Sequence, residues 1–258
     1  MTLRTRPARR RLLDAAAELF YARGVNATGI DAVTARAGVA RKSLYNNFSS
    51  KDDLVLAFLE ERHEEWRALH RARSADAGSP QERVLAVFDA YIDHAEQRSP
   101  EGFRGCGLLN AAAELPVGAP GRAVVRAHKD EVEQLLADAV ADMTADAGGA
   151  RSRHDSVARA AHTAGEAHSA DAGSAAREEA VPGLAEHLSL LVEGAVTKAG
   201  LDGTIRRLVG ARRLAAQLVG APSVDAPHSH DTRHFHDTRD SHEIRDSHDA
   251  PHSREVPQ

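Results

Sequence analysis

A single cysteine, Cys106, stands in a chain of 258 residues, which excludes an intrachain disulfide and gives no sign of an oxidising compartment. Aromatic residues make up only 4% of the chain, with one tryptophan. Runs of β-branched residues are nearly missing, so the 42% hydrophobic content rests mainly on Ala and Leu. Those residues favour helix over strand, and the composition predicts an all-α fold. No apolar run reaches the roughly 20 residues that a membrane-spanning helix needs, and the arginine-rich start lacks the hydrophobic stretch of a signal peptide. A cytoplasmic protein without a membrane partner is expected. A nucleophile with its base, a metal-ligand cluster in the ordered part and a Gly-rich phosphate loop are all missing at usable spacing, so neither an enzyme nor a cofactor is expected.

What is present is an asymmetry of charge. The formal net charge is −5, yet residues 1–50 hold nine cations (Arg4, Arg6, Arg9, Arg10, Arg11, Arg23, Arg36, Arg41 and Lys42) against three acids (Asp14, Glu18 and Asp31). That balance of +6 leaves −11 for the remainder. A basic segment on an acidic body is the electrostatic footprint of a part that meets polyanions joined to a part that does not.

Hydrophobic spacing divides the chain further. Leu12, Leu13, Ala16, Ala17, Leu19 and Phe20 recur at helical intervals, with Gly24 as the stop. Thr28 is a candidate N-cap for a short second helix with Ile30, Val33 and Ala37 on its inner face, ended by Gly38. In "GVARKSLYNNFSSKDDL" only Leu44 and Phe48 are spaced as buried positions, and Ser50 then caps a long helix with Asp52 and Asp53 in its first turn. Further helices are expected over 81–97, 108–115 and 122–143. A flexible insertion is expected over about 145–182, where Ala, Gly, Ser, His and Arg show no periodicity. Two last helices, about 183–199 and 202–219, carry seams of Leu184, Leu188, Leu191 and Ala195, and of Leu201, Ile205, Leu208, Ala211, Ala215 and Leu218. With Leu190, Val192, Val209 and Val219 also apolar, these helices are expected to pair with a second copy in a homodimer. From Asp225 a six-residue period sets His230, His236, His242 and His248 each before an acid, and 221–258 reads as a disordered His-rich tail.

Two short helices joined by a Gly-containing turn, the second presenting Arg, Lys, Ser, Tyr and Asn, match a helix-turn-helix that binds double-stranded DNA. Arg and Lys pair with phosphates or guanine edges, Asn can bond adenine bidentately, and Tyr and Ser reach phosphates. The bland alternative is a surface hairpin whose charges are merely solvated.

The stretch "TGIDAVTARAGVARKSLYNNFSSKDDL" resembles the N-terminal domain of TetR/AcrR-type bacterial transcriptional regulators. In that family a Thr opens the second helix, Gly-Val marks the turn, and Leu-Tyr-x-x-Phe with a following Ser-Lys closes the third. The resemblance covers roughly residues 9–60. It implies an N-terminal helix-turn-helix domain over 1–50 and a helical regulatory and dimerisation domain over 51–220. It also implies a repressor that holds a palindromic operator as a dimer and is released by a small-molecule effector. The operator-contacting positions it implies are Thr28, Arg41, Lys42, Ser43, Tyr45, Asn46, Asn47 and Lys51. Three departures stand out: Thr34 replaces a usual Ala, Ala40 stands where a capping Ser or Thr is frequent, and Asn46 and Asn47 replace bulkier residues.

For the effector, Trp66, Phe88, Tyr91, His94, Phe103, Cys106, Leu109 and Asn110 are the candidate lining, although aromatics at helical spacing are more often ordinary core. Cys106, with no fixed cation visible in the sequence, reads as a small core residue sooner than a redox sensor. The alternative function is metal binding or storage through the tail histidines, whose lack of fixed geometry counts against it.

Overall fold

The structure, a computed structural model, describes residues 7–97, 102–161 and 172–221, with side chains left undescribed over 147–161 and 172–182. Among the described residues there are helices α1 (Ala8–Arg23), α2 (Ile30–Ala37), α3 (Arg41–Tyr45), α4 (Lys51–Ala75), α5 (Pro80–Glu96), α6 (Gly107–Glu114), α7 (Pro120–Ala161), α8 (Ala172–Asp202) and α9 (Arg206–Leu218), and no strand. The all-α expectation is met. No described helix is long and apolar enough to cross a membrane.

Helix α1 is the keel of the N-terminal helices. Its buried stripe of Leu12, Leu13, Ala16, Leu19 and Phe20 meets α2, α3 and α4, and Phe20 stands edge-on to Phe58 of α4 at 5.4 Å between ring centroids. Gly38 ends α2 in the left-handed region at φ +63°, a conformation Gly adopts without steric cost, and this sets the tight corner between α2 and α3. Ser50 caps α4 as expected, its hydroxyl accepting from the Asp53 amide at 3.0 Å. Helix α4 is therefore one rod running from the foot of α3 into the body, where it packs on α5, α6 and α7. Helix α5 meets α7 and α9, and α8 lies against α7 and α9.

Three expectations are corrected. Helix α7 runs on to Ala161 and α8 begins at Ala172, so much of the stretch expected to be a flexible insertion is helical. Ala-rich sequence holds helix without needing a hydrophobic stripe. The α2 N-cap is Gly29, with no side-chain cap bond; Thr28 is 1% exposed and turns its hydroxyl inward to the Gly24 carbonyl at 2.7 Å. The apolar seams of the last two helices are divided: Leu188, Leu208, Ala211 and Ala215 are buried in the chain's own core, while Leu201 (78%) and Leu218 (49%) face outward, as do Leu190 (62%) and Leu214 (44%) beside the seams. The His-rich tail lies outside the described residues.

Candidate functional site

Helix α3 is anchored from beneath and open above. Leu44 and Phe48 are buried, while Arg41, Lys42, Tyr45, Asn46 and Asn47 are exposed and Ser43 is half-buried. Its N-cap position is Ala40, which offers no side-chain bond, a deficit worth about 1 kcal/mol relative to Ser or Thr. The underside compensates through packing: the Arg9 guanidinium lies 5.2 Å from the Phe48 ring centroid, and Arg11 Nη1 donates to the Gly38 carbonyl at 3.3 Å. The Thr34 departure is absorbed locally, because its hydroxyl bonds back within α2, 3.1 Å from the Ile30 and Asp31 carbonyls.

The exposed groups are not equivalent. Arg41 is paired with Asp31 at 3.0 Å and lies 5.8 Å from the Tyr45 ring, and the Asn47 amide donates to the Ser43 carbonyl at 2.7 Å. Lys42 and Asn46 make no side-chain bond among the described residues. Lys51 sits half-buried at the first position of α4. Thr28, expected among these contacts, is turned away from them: its hydroxyl is buried and directed at the Leu19 and Gly24 carbonyls. The chemistry of the surface is that of a small helix offering cations and amides to a polyanion.

The eight candidate ligand residues do not form one site. Trp66 and Tyr91 meet around His128 of α7, with Trp66 ring centroids 5.4 Å from Tyr91 and 5.0 Å from His128. Phe88 and Phe103 are ordinary buried core. His94 lines a cleft with Arg62 and Glu65, whereas Cys106, Leu109 and Asn110 line a different cavity beside the end of α1.

The Trp66–Tyr91 cluster contains groups that sequence reasoning missed. Lys129 donates to the Tyr91 hydroxyl at 3.2 Å and to Glu193 at 2.6 Å, and its ammonium lies 3.8 Å from the Cys106 sulfur, supplying the fixed cation that the sequence did not show. Burial raises the Tyr91 phenol. Burial opposes the charge on Lys129, yet Cys106, Tyr91 and Glu193 hold it above the usual lysine range. The Tyr91 hydroxyl, which accepts from Lys129, also lies in hydrogen-bonding contact with His128 Nε2 at 3.2 Å, the direction of that bond following the imidazole tautomer. Both His128 Nδ1 and Trp66 Nε1 are buried without a protein partner. A signal was there to read: Val125, His128, Val132 and Leu136 share one buried stripe of α7, and a histidine on an apolar stripe is a buried histidine. Among the described residues no group of three or more metal-ligating side chains occurs.

Burial, reinforced by Lys129, His63 and His94, lowers the His128 pKa to about 2, and burial lowers His70 as well. An unfolded histidine takes its proton near 6.5, so as pH falls below that value the unfolded state binds a proton that folded His128 refuses. Stability is expected to be present above pH 6.5 and to fall by about 2 kcal/mol between pH 7 and pH 5 for this one group. Urea unfolding at both pH values checks it: His128→Gln should flatten the dependence by close to one proton, leaving the smaller contribution of His70.

With this geometry in place, the likenesses to other proteins fall into line. Residues 12–58 match the family described as bacterial regulatory proteins, tetR family. The chain is 33% identical over 128 residues to the HTH-type transcriptional activator FasR of Mycolicibacterium smegmatis, covering 50% of this chain and 58% of that one. It is also 33% identical over 95 residues to the HTH-type transcriptional regulator TtgR of Pseudomonas putida, covering 35% and 45%. The chain thus spans about half the length of the curated relatives it matches. Among solved structures, a TetR-family transcriptional regulator from Streptomyces coelicolor superposes with a TM-score of 0.59 at 28% identity, over 81% of this chain and 96% of that one. A TetR transcriptional regulator from Chloroflexus aurantiacus gives 0.60 at 26%, over 83% and 94%.

Proposed function

We propose that this chain, which belongs to the TetR family of bacterial regulatory proteins, is a transcriptional repressor that grips an inverted-repeat operator as a homodimer and lets go when a small effector enters its body. The observation that carries the reading is α3 with the turn that follows it, fixed by Leu44 and Phe48 and otherwise given over to Arg41, Lys42, Tyr45, Asn46 and Asn47. One such helix covers half a site. A two-fold pair sets two of them in successive major grooves, about 34 Å apart.

The outward leucines 190, 214 and 218 supply the pairing surface, because burying the exposed half of each is worth about 1 kcal/mol and both copies contribute. Residues 1–50 act as the reading part and 51–220 as the regulatory and pairing part. Helix α4 joins them: its first turn follows α3 directly, and Trp66 further along it packs against Tyr91 and His128. A molecule that pushes on the aromatic cluster tilts the rod on which α3 is set. The buried donor Trp66 Nε1 favours an effector that carries a hydrogen-bond acceptor. Repression needs nothing beyond occupancy, since a dimer seated across a promoter excludes polymerase.

Fragments selected from the source genome by the full-length chain should share an inverted repeat and bind two chains per site. A reporter whose promoter overlaps that repeat should fall when the chain is expressed. A rise in the reporter replaces repression with activation, the role named for the Mycolicibacterium relative, and failure to select any fragment overturns the DNA-binding reading.

A further inference from the structure

Between the end of α1, the segment leading into α6, and the end of α8 lies a cavity of about 360 Å³, within the size range of small-molecule sites. Its depth has a structural cause. Gly105 and Gly200 approach so closely that a Cβ at Gly200 would stand 2.4 Å from the Gly105 nitrogen, so these walls meet as bare backbone and leave the space between side chains open. Phe20, Leu109 and Leu201 supply apolar surface.

The polar groups of the cavity are unbalanced in charge. Arg104 donates to the Tyr21 and Ala22 carbonyls at the end of α1, where the helix dipole favours a cation, and its guanidinium enters no carboxylate ion pair among the described residues. Arg23 lines the same cavity and enters no ion pair or hydrogen bond among the described residues. The one carboxylate of the lining, Glu114, is already committed to the Val25 and Asn26 amides at 3.2 and 2.7 Å. Two arginines therefore share the lining with one carboxylate whose oxygens accept from backbone amides.

We propose that this cavity is a binding site for a small aromatic carboxylate, its anionic end on Arg23 and Arg104 and its ring against Phe20, Leu109 and Leu201. Guanidinium suits the task because it meets a carboxylate with two parallel N–H bonds, and the apolar walls favour a flat body over a bare inorganic anion. The site adjoins the Trp66–Tyr91–His128 cluster through Cys106, which lines the cavity and lies 3.8 Å from the Lys129 ammonium, but shares none of those three residues. It stands independently of the repressor reading, since it concerns binding by the protein alone.

The test is calorimetric titration of the full-length chain with 2-naphthoate, with the neutral 2-naphthamide as control. One naphthoate per chain is expected, with the amide at least about tenfold weaker for want of the charge-assisted bonds. Arg23→Gln, at an exposed position, should weaken naphthoate about tenfold, and Leu109→Trp, which fills the mouth, should abolish binding. No heat of binding up to about 1 mM, equal affinity for acid and amide, or naphthoate affinity unchanged in both variants would each overturn the assignment.

Discussion

Replacing Leu214 and Leu218 together by Glu is expected to leave a folded monomer whose operator affinity is about 100-fold lower or worse. Both leucines lie on α9, four residues apart and roughly half exposed, so the chain's own core does not depend on them. Like charges at that spacing cost an isolated helix no more than about 0.5 kcal/mol, whereas four carboxylates brought together across a two-fold axis in a buried interface cost far more. Helix α9 stays attached through Leu208, Ala211 and Ala215, and through Arg212, which grips Asp89 of α5 at 2.5 and 3.0 Å. The loss of affinity follows from geometry, because a monomer holds one half-site without the effective concentration that the second reading helix gains from the first. Leu208→Glu is the contrasting variant: a charge at a fully buried position should destroy helicity and not merely pairing. Sedimentation, circular dichroism and operator binding on the two variants separate the outcomes, and an unchanged dimer in the double variant rules out this surface as the interface.

That contrast also marks where the sequence stopped being legible. The helical register of the last two helices could be read from leucine spacing, and Leu208, Ala211 and Ala215 do face inward, but the same seams also held Leu201 and Leu218, which face outward; spacing alone does not separate the chain's own core from a second apolar face. The structure gives Leu208 to the core and leaves Leu214 outside. At the other end of the chain the pattern was unambiguous. In α3 and the turn after it only Leu44 and Phe48 are apolar and inward, so burial and exposure sort themselves, and Gly38 with Ser50 marks the boundaries. Thr28 misled because a threonine before a helix is both a common cap and a resemblance-implied contact, and only the fold shows its hydroxyl returning to Gly24. Lys129 beside Cys106 joins residues 23 positions apart on different elements, a pairing that no local pattern encodes. His128, by contrast, could have been found from its place in the stripe of Val125, Val132 and Leu136.

The second large effect concerns α3, where affinity and specificity are expected to part company by residue. Arg41 and Asn47 already hold partners, Asp31 and the Ser43 carbonyl, so each must give up an intramolecular bond to meet DNA and gains correspondingly less. Lys42 and Asn46 have none to give up among the described residues, and removing either should cost more than removing its neighbour. Asn46→Ala is expected to weaken operator binding by about 1–3 kcal/mol per reading helix, up to twice that in the dimer, with non-specific binding nearly unchanged because an amide carries no charge to neutralise. Lys42→Ala should lose operator affinity by a similar amount and part of its salt dependence as well. Lys51→Ala, at the start of α4, should weaken every duplex alike and lower the log–log salt slope by about one unit per phosphate released. Arg41→Ala also frees Asp31, whose carboxylate then faces the duplex, so part of its loss should reappear on scrambled DNA. Titrations at several salt concentrations on operator and scrambled duplexes resolve the four variants. If Asn46→Ala keeps the full operator preference while Lys51→Ala leaves the salt slope untouched, α3 is not the helix that reads the sequence.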